Sequence, residues 1–253
     1  MAEAKNPVQA VDRTFDILEI IQELNGARLC EIADRADIGM SAVHNHLATM
    51  VDRGYVVRRG EVYDIGLPFL GLGSYARNQT RIYDTGRPEI ERLAAETDKL
   101  ASLVVEKQGL GIYVYQASGE TEVELDTHPG KQVHLHCTAL GKALLAFRPD
   151  DEIHTILDEH GLPAMTNQTI TDRTELFEEV DRIRERQYAV DRGERLNGLR
   201  CIGAPVTDGD GRSIAAISVT CPSHRIDDGF FHEELPELVL GSANMIEIKN
   251  NYA

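Results

Sequence analysis

"MSAVHNHLATMVDRGYVVRRGEVY", residues 40 to 63, carries a helical period and then a two-stranded one. Val43, Leu47, Met50 and Val51 recur at helical steps and predict the buried face of a helix that Gly54 ends. Tyr55 to Arg58 and Glu61 to Ile65 are β-rich runs joined through Arg59-Gly60, the pattern of a short hairpin. Upstream, Leu29, Ile32, Ala33 and Ala36 mark a short helix, and Asp37-Ile38-Gly39 a tight turn. Before these, Val8, Val11, Phe15, Leu18 and Ile21 give an apolar stripe over residues 8–24, stopped by Asn25-Gly26. Three helices and a hairpin in this order make a winged helix-turn-helix.

Three packed helices serve equally well as a dimerisation or protein-docking module. The outer face of the third helix favours DNA, because Ser41, Ala42, His44, Asn45, His46 and Thr49 offer short hydrogen-bonding groups with a small residue among them. Asn pairs with adenine edges, Ser and His with bases or phosphates, and Ala touches a thymine methyl. Arg53, Arg58 and Arg59 follow at its end and on the wing, suited to phosphate contacts that position without specifying sequence.

The 253 residues suffice for two ordinary domains, and a composition of 42% hydrophobic and 27% charged residues is that of a globular chain. No apolar run approaches the roughly 20 residues of a membrane span, and MAEAKNPVQAVDR lacks the apolar core of a secretory signal, so the expectation is a cytoplasmic protein without membrane contact. Cys30, Cys137, Cys201 and Cys221 show no CxxC spacing, which argues against a disulfide framework or zinc knuckle. The net charge is -16, from 42 Asp and Glu against 26 Lys and Arg. An acid surplus spread along the chain suggests a hydrated surface of the halophilic kind. At molar salt the Debye length is about 3 Å, so repulsion between distant carboxylates and DNA is screened.

The chain divides into residues 1–66, a DNA-binding domain; 67–86, a linker helix; and 87–253, a second domain. In the linker Pro68 opens a helix and Phe69, Leu70, Leu72 and Tyr75 form an apolar stripe, read either as interdomain packing or as a dimer seam. Gly71, Gly73 and Gly86-Arg87-Pro88 are expected to break it, with Pro88 opening the helix that starts the second domain. There, candidate strands span 101–106, 111–116, 122–126, 132–136, 200–206 and 213–220, the last two flanking a "TDGDG" hairpin signal. Candidate helices span 139–147, 151–160, 173–187 and 228–249. The result is an α+β protein of two domains.

Chemistry is sparse. "HLHC" is the one dense set of metal-ligand types, yet strand alternation aims His134 and His136 one way and Cys137 the other, short of the four ligands of structural zinc. The bland reading is a strand entering a loop. No base or nucleophile elbow accompanies Cys201, and "GLG" at 109–111 and "GLGS" at 71–74 read as turns. No metal, cofactor or catalytic residue is expected. A small-molecule enzyme and a protein-binding adaptor stay as alternatives.

The stretches "AVDRTFDILEII", "SAVHNHLATMVDRGYV", "HCTALGKALLAF", "TITDRTEL", "YAVDRGERLNGLRCIGAPV" and "GRSIAAISVTCPSHRI" resemble the IclR family of transcriptional regulators over nearly the whole chain. The resemblance implies a C-terminal effector-binding domain of GAF-like mixed α/β fold. It further implies homodimers or homotetramers on palindromic double-stranded operators, and a small-molecule metabolite effector controlling a carbon-source catabolic operon. It carries over Ala139, Leu140, Gly141, Asp191, Leu199, Cys201 and Ser218 as effector-binding positions, and strand alternation adds Thr220. Where the family commonly has Lys-Ser-Thr-Val-x-Arg, this chain has Met40-Ser41-Ala42-Val43-His44-Asn45, so two basic contacts are gone. Hydrogen bonds and DNA shape then carry more of the recognition.

Overall fold

The computed structural model describes residues 6–119 and 126–251. The chain forms two compact units, divided between Gln79 and Thr80.

The first unit runs α1 (Gln9–Glu23), β1 (Ala27–Arg28), α2 (Leu29–Ala36), α3 (Met40–Asp52), β2 (Val56–Arg59), β3 (Val62–Ile65) and α4 (Pro68–Asn78). The strands pair antiparallel in the order β1-β3-β2. Gly60, at φ +65°, supplies the left-handed residue of the two-residue turn between Arg59 and Val62. The winged helix-turn-helix expected from the sequence is therefore present. Its core joins Ile17, Ile21, Ile32, Val43, Leu47 and Val56.

The buried face of α1 keeps Ile21 and half-buried Leu18 of the expected stripe but not its first three residues. Ile17, Ile20 and Ile21 turn toward α2 and β3, while Val8, Val11 and Phe15 stay 65%, 49% and 58% exposed. Apolar residues occupy two sides of α1, and periodicity alone cannot rank them. Val51 is likewise exposed rather than buried. Gly71 and Gly73 lie inside α4 instead of breaking it, since Gly costs a helix only about 1 kcal/mol per position. Phe69 packs edge-on against Tyr55 with ring centroids 4.9 Å apart, but Leu67, Leu70, Leu72 and Tyr75 are all exposed.

The second unit opens with α5 (Arg81–Thr97), which contains Pro88 in its interior. Burial of Ile82, Tyr83, Ile90, Leu93 and Ala94 along one face outweighs the roughly 3 kcal/mol that an internal Pro costs, so the helix starts well before the proline expected to open it. There follow β4 (Leu100–Lys107), β5 (Leu110–Ala117), β6 (Gln132–His134), α6 (Ala139–Ala146), α7 (Asp150–His160), α8 (Arg173–Arg186), β7 (Ala189–Asp191), β8 (Leu199–Thr207), β9 (Ser213–Pro222) and α9 (Leu235–Asn251). The expected strand at 122–126 falls, but for Asp126, outside the described residues. β6 ends at His134 rather than 136, and the last helix starts at 228 as expected but contains a π-helical turn, Phe230–Glu234.

The sheet is antiparallel throughout, in the order β6-β5-β4-β9-β8-β7. Alternation sends Leu103 and Val105 of β4, Ile202 and Ala204 of β8, and Ile217 and Val219 of β9 into one core with α5 and α9. Val104 and Ala216 face the other way, into a core with α6, α7 and α8. Further along that second face β9 changes from apolar Ala216 to polar Ser218 and Thr220, and there the core gives way to a pocket.

Candidate functional site

Two regions suit recognition, one in each unit. On α3, Ser41, His44, Asn45 and Thr49 are exposed, as is Arg53 at its C-cap. Ala42 is half-buried, and so is His46, whose Nδ1 lies 2.9 Å from Thr14 Oγ1 on α1. Thr49 Oγ1 donates back to the Asn45 carbonyl at 2.9 Å. On the wing Arg58 Nε donates to the Gly60 carbonyl at 2.8 Å and its guanidinium lies 5.5 Å from the Tyr63 ring centroid, while Arg59 is 3.8 Å from Asp64. The wing arginines are thus held at the hairpin tip with most of their donors outward. Polar donors on one helix and three arginines beside it form a surface suited to a groove and its phosphates.

The second region is a small pocket, partly open to solvent, on the polar part of the sheet. Its floor comes from Leu199 and Cys201 of β8, Ser218 and Thr220 of β9, and Tyr113 of β5. One wall is the start of α6, with Thr138, Ala139 and Leu140; Asp191, at the end of β7, lies opposite with Arg195 and Leu196 from the loop after it. Of the expected effector positions, Ala139, Leu140, Asp191, Leu199, Cys201, Ser218 and Thr220 are brought together here.

Gly141 is not among the lining residues. Its N–H donates to the N-cap oxygen of Thr138 at 2.9 Å, and a Cβ on it would fall 2.2 Å from the Leu135 carbonyl oxygen. Its role is to let α6 lie close against the preceding loop. Gly203 serves the same end from the sheet, since a Cβ there would meet the Ala139 carbonyl carbon at 2.8 Å. Buried Lys142, one turn into α6, donates to the Val190 carbonyl at 2.7 Å and to Glu194 at 2.5 Å, tying the helix to β7 and the loop after it.

Inside the pocket, charge is suppressed. Burial pushes the Asp191 carboxyl up from its ordinary value although its Oδ1 accepts the Glu194 N–H at 2.8 Å. Burial likewise raises the Tyr113 phenol, and the Cys201 thiol well above its usual range; Cys201 Sγ lies 3.2 Å from Thr220 Oγ1. A thiol that burial holds protonated is a poor nucleophile. The arrangement offers hydrogen-bonding groups on the floor with Leu140 and Leu199 beside them. Tyr113, Thr127, Thr138, Arg195 and Leu196 went unforeseen among its lining. Only Thr138, as the cap of "TALGK", carried a local signal.

His134 and His136 have ring centroids 5.7 Å apart, both with pKa values lowered by burial, and Cys137 donates to the His134 carbonyl. Among the described residues no group of three or more His, Cys, Asp or Glu is placed to hold a metal ion, and no helix is long and apolar enough to cross a membrane.

Comparison with known proteins covers both regions. The family described as "IclR helix-turn-helix domain" matches residues 10–60, and "Bacterial transcriptional regulator IclR C-terminal" matches residues 75–248. A probable HTH-type transcriptional regulator, ArcR of Halobacterium salinarum, is 33% identical, with 96% of this chain and 94% of that protein aligned. The HTH-type transcriptional regulator BhcR of Paracoccus denitrificans is 34% identical, with 90% and 82% aligned. The crystal structure of IclR from Thermotoga maritima matches with a TM-score of 0.80 at 26% identity, covering 96% of this chain and 99% of that one.

Proposed function

The chain belongs to the IclR family of transcriptional regulators, and from that premise we propose that it controls a carbon-source catabolic operon in response to a small metabolite bound in its C-terminal pocket. As a member of that family it is a DNA-binding regulator and not an enzyme, so the adaptor and enzyme alternatives fall away. The observation that carries the finer reading is the convergence of seven positions, distant in sequence, on one pocket.

In this reading Ser41, Ala42, His44, Asn45, His46 and Thr49 read the major groove, and Arg53, Arg58 and Arg59 hold the phosphates. Asp191, Ser218 and Thr220 take the polar groups of the effector, while Leu140 and Leu199 shield it. Residues 1–66 form the DNA-binding domain and α4 the linker, which ends before the expected residue 86 because α5, from Arg81, already belongs to the effector domain. The exposed apolar side chains of α1 and α4 support a homodimer on a palindromic operator, or a pair of such dimers. An effector shifts DNA affinity by binding one arrangement of the dimer better than another.

Genome-wide immunoprecipitation of the tagged protein, with and without a panel of carbon sources, tests this. Sharp peaks over a palindrome beside catabolic genes, responding to one substrate, are expected. Reproducible peaks that no carbon source alters would overturn the effector-gated reading, and absence of peaks at native salt the operator reading.

A further inference from the structure

Among the described residues Arg195 is the sole cation lining the pocket, and its position asks for an anion. Its side chain is 11% exposed, and its Nη2 lies 2.7 Å from both carboxylate oxygens of Asp126. That partner is itself 53% exposed, with Lys131 3.9 Å away on its outer side. A desolvated guanidinium is thus neutralised by a carboxylate that remains in water. Arg195 makes no other hydrogen bond among the described residues. Its charge is felt by Tyr113 and Asp191, both lining the pocket. Asp191 does not compete for the guanidinium: burial favours its neutral form, and its Oδ1 is taken by the Glu194 N–H.

We propose that Arg195 is the residue that selects for a carboxylate in this pocket, and that Asp126 occupies the guanidinium as an internal stand-in which the ligand displaces. This rests on the effector-pocket reading and narrows it to a compact hydroxy- or oxo-carboxylate. The ligand carboxylate takes the planar fork of Arg195, Ser218 and Thr220 serve its hydroxyl or carbonyl, and Asp191 accepts from a hydroxyl. Asp126, 53% exposed, returns to water and Lys131 once released, so its displacement leaves no buried charge unpaired. Binding to a buried, fork-shaped donor is strong for the same reason that leaving it unpaired is costly.

The test is calorimetric titration of the full chain with lactate, glycerate and 4-hydroxybenzoate, each against its primary amide, with neutral polyols in the same panel. Wild type is expected to prefer at least one carboxylate over its amide by about ten- to a hundredfold. Arg195→Gln should abolish that preference and Arg195→Lys keep part of it. Asp126→Asn, a half-exposed change that removes the competitor, should tighten carboxylate binding several-fold. Carboxylate binding that is unchanged in Arg195→Gln, or weakened in Asp126→Asn, overturns the assignment. A neutral polyol bound alike by wild type and Arg195→Gln, with no carboxylate bound, leaves the pocket reading standing and removes Arg195 from it. Binding of nothing in the panel overturns both.

Discussion

Asp191 is an acid whose surroundings oppose its charge, and this fixes a pH dependence. Burial raises its pKa in the folded chain above the unfolded value, so the folded state holds the proton more firmly. Its contribution to stability is therefore full below the ordinary carboxylate range and is lost as pH rises through the folded pKa. Asp191→Asn keeps an oxygen for the Glu194 N–H and removes the ionisation. Scanning calorimetry should find the variant with the higher Tm at pH 7 and the gap closing toward pH 4; a gap independent of pH sinks the argument. On α3 the residues separate by what already holds them. Asn45 offers an exposed carboxamide, so Asn45→Ala should cost about 1–3 kcal/mol on the cognate operator and little on random DNA in a gel-shift titration. Half-buried His46 is oriented by Thr14, so His46→Ala should also lower thermal stability, by about 1 kcal/mol. Most of the pocket was legible in the sequence because short motifs mark it, but Arg195 was not. It enters from a loop whose position depends on the pairing of Asp191 with Cys201 between β7 and β8, a contact that no local pattern announces.

At the scale of elements, two kinds of glycine lie in helices that look alike in sequence. A methyl group on Gly71 in α4 would meet nothing within 4 Å, whereas on Gly141 in α6 it would fall 2.2 Å from a backbone oxygen. Chemical denaturation should therefore find Gly71→Ala neutral or stabilising by up to about 1 kcal/mol. Gly141→Ala should destabilise by about 1–3 kcal/mol or more, with loss of ligand binding, because the start of α6 forms the pocket wall. The reverse order would mean that α6 is free to shift. Element type was legible wherever one period dominated: α3, β4, β5, β8 and β9 follow their apolar patterns to within a few residues. The choice of face in α1 was not, since Phe15 and Ile17 are equally apolar and only the packing of α2 and β3 distinguishes them. Nor was β7, whose three residues are too few to show alternation and which exists because β8 pairs with it.

For the whole molecule the question is how so acidic a chain holds DNA, and the charge is not evenly divided. Residues 1–79 carry 8 Lys and Arg against 11 Asp and Glu, leaving 18 against 31 for residues 80–253. The DNA-binding unit is thus close to neutral and the surplus belongs to the second unit. Within residues 40–60 the charged side chains are Asp52, Arg53, Arg58 and Arg59, a small positive excess at the surface proposed to meet phosphate. Affinity that rests on counterion release falls with salt in proportion to the phosphates neutralised. With three arginines per protomer, a dimer should show a slope of log K against log salt no steeper than about -5. Fluorescence anisotropy on an operator duplex across a potassium chloride series measures it directly. A shallow slope with affinity persisting at high salt is what hydrogen bonds from Ser41, His44 and Asn45 supply, because these do not depend on releasing ions. A slope much steeper than that bound would place cations other than Arg53, Arg58 and Arg59 on the DNA and require a different docking surface.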